Sequence, residues 1–196
     1  MKKNIVYYFI TLSSFLQGCN NTSDPSTSEK ISKIDFKVIT INKDKSTIPT
    51  CGKFPPKEIL EINGNGIALF DADQDNDLDI FIANGSTLDN PTQGPGWILL
   101  LQNEKMSFEN YSIESGIHNQ KSWASGVAQG DIDQDGDIDL VVTTWGYDIL
   151  LKNNGDTTFT PIKLPGKEKD WGTGVALGDF DQDGDLDIYI TNYLYF

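Results

Sequence analysis

The stretch Asp131-Ile-Asp-Gln-Asp-Gly-Asp-Ile-Asp139 puts five carboxylates into nine residues and runs directly into the apolar segment Leu140-Val-Val-Thr-Thr144. Two further copies, Asp71-Ala-Asp-Gln-Asp-Asn-Asp-Leu-Asp79 and Asp179-Phe-Asp-Gln-Asp-Gly-Asp-Leu-Asp187, are continued in the same way. All three fit the form D-x-D-x-D-[GN]-D-[LI]-D. Carboxylates at positions 1, 3, 5 and 9 of such a loop are expected to converge on one cation. These are Asp71, Asp73, Asp75 and Asp79, then Asp131, Asp133, Asp135 and Asp139, then Asp179, Asp181, Asp183 and Asp187. Position 7, occupied by Asp77, Asp137 and Asp185, is expected to offer its backbone carbonyl and leave its side chain toward solvent. Position 6 needs a sharp turn at positive φ, which Gly136 and Gly184 adopt freely and Asn76 tolerates.

An all-oxygen donor set favours Ca²⁺ over zinc, which prefers nitrogen and sulfur, and over Mg²⁺, which demands near-octahedral geometry and retained waters. Up to three Ca²⁺ are therefore expected. A helix-flanked calcium loop would close with a glutamate at position 12, but Ile82, Val142 and Ile190 stand there, inside expected strands. Asp79, Asp139 and Asp187 must close the sites instead. Without a cation, the five aspartates of each loop repel one another.

Outward from the loops the chain repeats. Gly66-Ile-Ala-Leu-Phe-Asp71, Gly126-Val-Ala-Gln-Gly-Asp131 and Gly174-Val-Ala-Leu-Gly-Asp179 each lead into a loop. Leu78 to Ala83, Ile138 to Thr144 and Leu186 to Thr191 then read as buried strands, rich in β-branched and aromatic residues. A second hairpin follows twice, Trp97 to Gln102 with Ser107 to Tyr111, and Asp148 to Lys152 with Thr157 to Ile162, the latter around the turn signal Asn154-Gly155. Four short strands per unit, at a spacing of roughly 40 to 50 residues, predict an all-β chain of β-propeller blades, with a sandwich as the alternative.

About two and a half blades are expected, near residues 61–117, 118–165 and 166–196, forming a partial propeller over 34–196. A ring needs about four to eight blades, so a longer parent is expected, with Ile34 to Ile41 pairing with its last blade. The insertion around Gly85 to Gly96 reads as a surface loop. Trp123 and Trp171, equivalent in place, are expected to wedge between blades, with Asn63 in the corresponding position of the first unit.

At the N-terminus, residues 1–18 combine Lys2 and Lys3 with the apolar stretch Ile5 to Leu16 and read as a signal peptide. Leu16-Gln17-Gly18-Cys19 resembles a bacterial lipobox, so Cys19 is the expected lipidation site, although Gln17 departs from the usual small residue. Residues 19–33, poor in apolar side chains, read as a flexible tether. The expected location is that of an exported lipoprotein at the outer membrane or cell surface, with a periplasm-facing orientation as the other possibility.

Composition narrows the partners. The 196 residues carry a net charge of -14 and no arginine, which argues against nucleic-acid binding. His118 is the only histidine and reads as an ordinary exposed one, and Cys51, the only thiol besides Cys19, reads as structural. No nucleophile or metalloprotease motif is present, so no catalytic residue is expected.

These units resemble FG-GAP/VCBS repeats, the calcium-loop blades also found in integrin α-subunit propellers, over roughly residues 61–196. Asp79-Ile-Phe-Ile-Ala-Asn-Gly85, Asn153-Asn-Gly-Asp-Thr-Thr-Phe159 and the run from Phe108 to Gly116-Ile117 are further similar to the bacterial CRTAC1-like, ASPIC/UnbV-associated group. The resemblance implies a calcium-stabilised extracytoplasmic propeller, part of a seven-bladed parent, serving recognition, adhesion or scaffolding with an unknown protein or glycan ligand, to which the lipobox adds membrane anchoring. The alternative is the N-terminal part of a propeller enzyme, hydrolase, lyase or oxidoreductase, with its catalytic residues outside this chain.

Overall fold

A computed structural model of the chain describes residues 47–62, 65–103 and 107–195. The leader, the tether, Cys19, the strand expected at Ile34 to Ile41 and Asn63 lie outside the described residues.

Each acidic loop joins two antiparallel strands, and in the first two units the hairpin that follows completes a four-stranded sheet. The first sheet runs β1 (Gly66–Phe70), β2 (Asp79–Ala83), β3 (Ile98–Gln102) and β4 (Phe108–Asn110), in that order. The second repeats it with β5 (Ala124–Gly130), β6 (Asp139–Thr144), β7 (Ile149–Asn153) and β8 (Phe159–Lys163). A third begins with β9 (Asp170–Gly178) and β10 (Asp187–Tyr195), paired antiparallel. This is an all-β meander of propeller-type blades. Among the described residues no helix is long and apolar enough to cross a membrane.

The registers place the loops at one end of every blade. Phe70 pairs with Asp79, Gly130 with Asp139 and Gly178 with Asp187, so each loop bridges the last pair of its first two strands. β2 and β6 are buried along their whole length, because both faces of these inner strands are covered. On one face Phe81, Trp97 and Leu99 of the first blade join Leu140, Val142, Leu151 and Phe159 of the second in one core. On the other, Ile80, Ile82, Ile98 and Leu100 form a smaller cluster with Phe108. Each such side chain contributes about 1.5–3 kcal/mol by leaving water.

β10 departs from the expected buried strand. Tyr189 and Tyr193 are 63% and 55% exposed, because no described strand pairs with its outer side. The corresponding residues of β2 and β6 are buried because a third strand and a neighbouring blade cover them.

The tryptophans do pack between blades. The Trp123 and Trp171 ring centroids lie 5.2 Å apart, and Trp145, which the repeat did not single out, stands edge-on to Trp171 at 4.8 Å. The Trp171 indole donates to Ser125 Oγ at 2.9 Å. Cys51 packs on this cluster, and burial, reinforced by the charge of Glu61, raises its thiol above the ordinary value.

The insertion around Gly85 to Gly96 is a surface loop, with Asp89, Asn90, Thr92, Gln93 and Pro95 exposed, held firmly at its ends. Gly85, Ser86 and Gly96 are buried, and the Trp123 amide donates to Pro91 O at 2.6 Å. The segment ahead of the first blade straps it from the other side, with Gly85 N donating to Thr50 O and Gly52 N to Ser86 O. His118 is half-buried rather than exposed; its backbone N–H donates to Ser112 O, and its ring and carbonyl fill the space beside Gly96.

Candidate metal centres

The three loops fold alike because the same atoms satisfy the same backbone groups. The position-1 carboxylates, Asp71, Asp131 and Asp179, each accept the amides of positions 5 and 6 at 2.9–3.1 Å. Turning both amides inward requires positive φ at position 6, and Asn76, Gly136 and Gly184 adopt 68°, 96° and 99°.

The closing aspartates work from the strand side. Asp79 accepts the Ala72 amide and, from β3, the Gln102 amide, both at 2.8 Å. Asp139 repeats this with Ile132 at 3.1 Å and Asn153 at 2.8 Å, and Asp187 accepts from Phe180 at 2.8 Å. Asp79 and Asp139 are fully buried, at 0% and 1% exposure. Their burial is what distinguishes these loops from ordinary acidic turns, since an aspartate is rarely enclosed without a partner for its charge.

Carboxylate oxygens of Asp71, Asp73 and Asp79 lie within 4.8 Å of one another, as do those of Asp131, Asp133 and Asp139, and of Asp179, Asp181 and Asp187. Two ligands on opposite sides of a calcium ion, about 2.4 Å from it, stand about 4.8 Å apart. Each triad therefore has the span and donor chemistry to hold a divalent cation. Position 5 stands outside the triads: Asp75, Asp135 and Asp183 each turn one oxygen back to the position-7 amide, at 2.8, 3.0 and 3.2 Å. The described geometry gives positions 1, 3 and 9 the convergent oxygens.

Burial and mutual repulsion set the electrostatics of the loops. Burial pushes the Asp79 carboxyl up to about 6 against the two amides that stabilise its anion. Burial likewise raises Asp139, and burial with the charge of Asp75 raises Asp73. In the third, exposed loop, the charge of Asp183 raises Asp185. A divalent ion would reverse each of these shifts.

The second loop has a positive side chain against it. The Lys152 ammonium, on β7, donates to Asp133 and lies 3.3 Å from Asp135. Its equivalent on β3 is Leu101, since Gln102 and Asn153 occupy matching places against Asp79 and Asp139. The sequence repeat did not reveal this difference between the first and second loops.

Position 7 is less free than expected. The Asp137 carboxylate accepts a hydrogen bond from Gln74 of the preceding loop. The glutamines at position 4 were also overlooked, although their identity in all three loops was a visible signal.

A second acidic pair lies at the opposite end of the blades. Asp148 accepts the Thr144 amide at 2.7 Å, and Asp170 accepts the Lys167 amide at 2.9 Å. Both are buried. Burial first, then the charge of Asp170, raises the Asp148 carboxyl to about 6.

The family model described as an FG-GAP-like repeat matches residues 71–142 and 131–190, so each match begins on the first aspartate of a loop. No curated protein matches the chain.

Proposed function

The chain belongs to the FG-GAP-like repeat family, and from that premise we propose that it is a calcium-binding, membrane-anchored extracytoplasmic module for recognition or adhesion. The observation that carries the calcium part is the set of three oxygen triads at matching places in successive blades, two of them closed by a buried aspartate. The ions would be held by Asp71, Asp73 and Asp79, by Asp131, Asp133 and Asp139, and by Asp179, Asp181 and Asp187. Their contribution is structural: two positive charges per loop relieve the repulsion among five aspartates and fix the end of each blade.

Anchoring rests on Cys19, in its lipobox-like setting after an apolar leader. The recognition role rests on the family and on the absence of a catalytic constellation in the sequence. Ligands are proteins or glycans, and the CRTAC1-like, ASPIC/UnbV-associated group is the proposed narrower kinship.

Anchoring and recognition are tested together. Expressed in a bacterium fed labelled palmitate, the chain is expected to carry label and sediment with membranes, and Cys19→Ala to lose both. Unlabelled wild-type chain would contradict anchoring. Binding to an array of glycans and matrix proteins is expected to require Ca²⁺, and binding indifferent to EGTA would contradict a calcium-braced recognition surface.

A further inference from the structure

Position 4 of every loop is a glutamine, and Gln74, Gln134 and Gln182 all sit at positive φ, 62°, 60° and 65°. A glutamine does not choose that conformation, so the loop imposes it. The first two then reach out of their own loops. Gln74 Nε2 donates to the Asp137 carboxylate, position 7 of the second loop. Gln134 Nε2 donates to the carbonyl of Gly184, position 6 of the third, at 3.0 Å.

A third tie runs in the other direction. Asn153, 1% exposed, donates from Nδ2 to Ala72 O in the first loop at 3.2 Å, while its own backbone N–H holds Asp139, the closing residue of the second, at 2.8 Å. Loops far apart in sequence thus form one hydrogen-bonded row.

We propose that the three loops bind calcium as coupled sites, with Gln74 and Gln134 as the positioning residues that pass the ordering of one loop to the next. The inference rests on the calcium reading above. Position 4 lies between positions 3 and 5, so an ion held by the loop fixes the backbone of the glutamine. A fixed glutamine holds its acceptor at position 6 or 7 of the next loop. That loop then loses less conformational freedom when it binds, and the effect is reciprocal. One hydrogen bond made more fully in the ordered state corresponds to about a two- to tenfold change in affinity.

Gln129 supplies the control. Its Nε2 donates to Leu69 O at 2.9 Å, tying the first and second blades, the pair that Gln74 bridges, through their strands without touching a loop.

The test is calorimetric titration of the calcium-stripped full chain with Ca²⁺. Asp181→Asn, at an exposed position, disables the third loop, and the affinity of the remaining two is read with Gln134 present and with Gln134→Ala. With Gln134, disabling the third loop is expected to weaken the remaining binding by about two- to tenfold. With Gln134→Ala, Asp181→Asn is expected to add nothing, and Gln129→Ala to behave as wild type. Asp187→Asn, which disables the third loop at its closing carboxylate, is expected to give the same pattern. Equal effects in both backgrounds, or none in either, would overturn the coupling while leaving calcium binding intact. A chain that takes up no calcium in any form would overturn both.

Discussion

The side-chain amide of Asn153 crosses the blade boundary to the carbonyl of Ala72, 3.2 Å away inside the first acidic loop. The same side chain accepts the Gly155 amide at 3.1 Å, and its backbone N–H satisfies Asp139 at 2.8 Å. One buried residue therefore anchors two candidate metal loops and the β7–β8 turn.

Asn153→Ala strands the Ala72 carbonyl out of water and removes the acceptor of the Gly155 amide in an exposed turn. Leaving a buried polar group unpaired costs about 1–3 kcal/mol, and a loss of about that size is expected in denaturant unfolding. Asn154→Ala is expected to cost well under half as much, because Asn154 is exposed and bonds only Thr158 and Thr160 in its own turn.

Lys152 engages Asp133, one of the three convergent carboxylates of the second loop, and its neighbour Asp135. Lys152→Met is expected to lower the melting temperature in EGTA, where the ammonium offsets Asp133 and Asp135, and to tighten calcium binding at one site severalfold. Weaker calcium binding by Lys152→Met, read by calorimetry, would show that the lysine does not compete with the ion.

Asp148 gives a pH dependence outside the loops. Its carboxyl is raised to about 6 by burial and by Asp170, so the folded chain holds its proton more tightly than the unfolded chain does. The buried charge costs stability above pH 6, and the cost is relieved as pH falls from about 6 toward the ordinary aspartate value near 4. Asp148→Asn keeps an acceptor for the Thr144 amide and removes the charge. It is expected to stabilise the calcium-loaded chain at pH 7.5 by up to about 3 kcal/mol and to match wild type near pH 4. A variant less stable than wild type at pH 7.5 would show that the anion is favoured there.

Among the described residues no strand pairs with the outer edge of β10, where Tyr189 and Tyr193 are exposed. Such an edge templates pairing with another strand. The 196-residue chain is expected to associate as concentration rises in sedimentation velocity, and Tyr189→Lys to reduce that association.

The parts of this fold legible in the sequence are those fixed by short-range spacing. Five aspartates in nine residues, a glycine or asparagine at position 6, and an apolar run after position 9 define the loop, the turn and the inner strand without any partner. What stayed hidden depends on residues brought together from different blades. Gln74 and Asp137, Asn153 and Ala72, and Lys152 and Asp133 meet only once the blades are packed. The exposure of Tyr189 depends on packing in the same way, since its apolar pattern matches that of buried Phe81 and burial depends on a neighbour. Asp148 and Asp170 carried no motif at all; only their enclosure beside the tryptophans sets them apart.

The most direct test is the melting temperature of the chain in EGTA and in 10 mM Ca²⁺. If each site binds with a dissociation constant on the order of 0.1–1 mM, saturation adds about 1.4–2.7 kcal/mol per site. Three sites then raise the melting temperature by roughly 10 °C or more, an increase that Asp79→Asn and Asp139→Asn should each diminish. A melting temperature identical in EGTA and in calcium would contradict the assignment of the three triads as calcium sites.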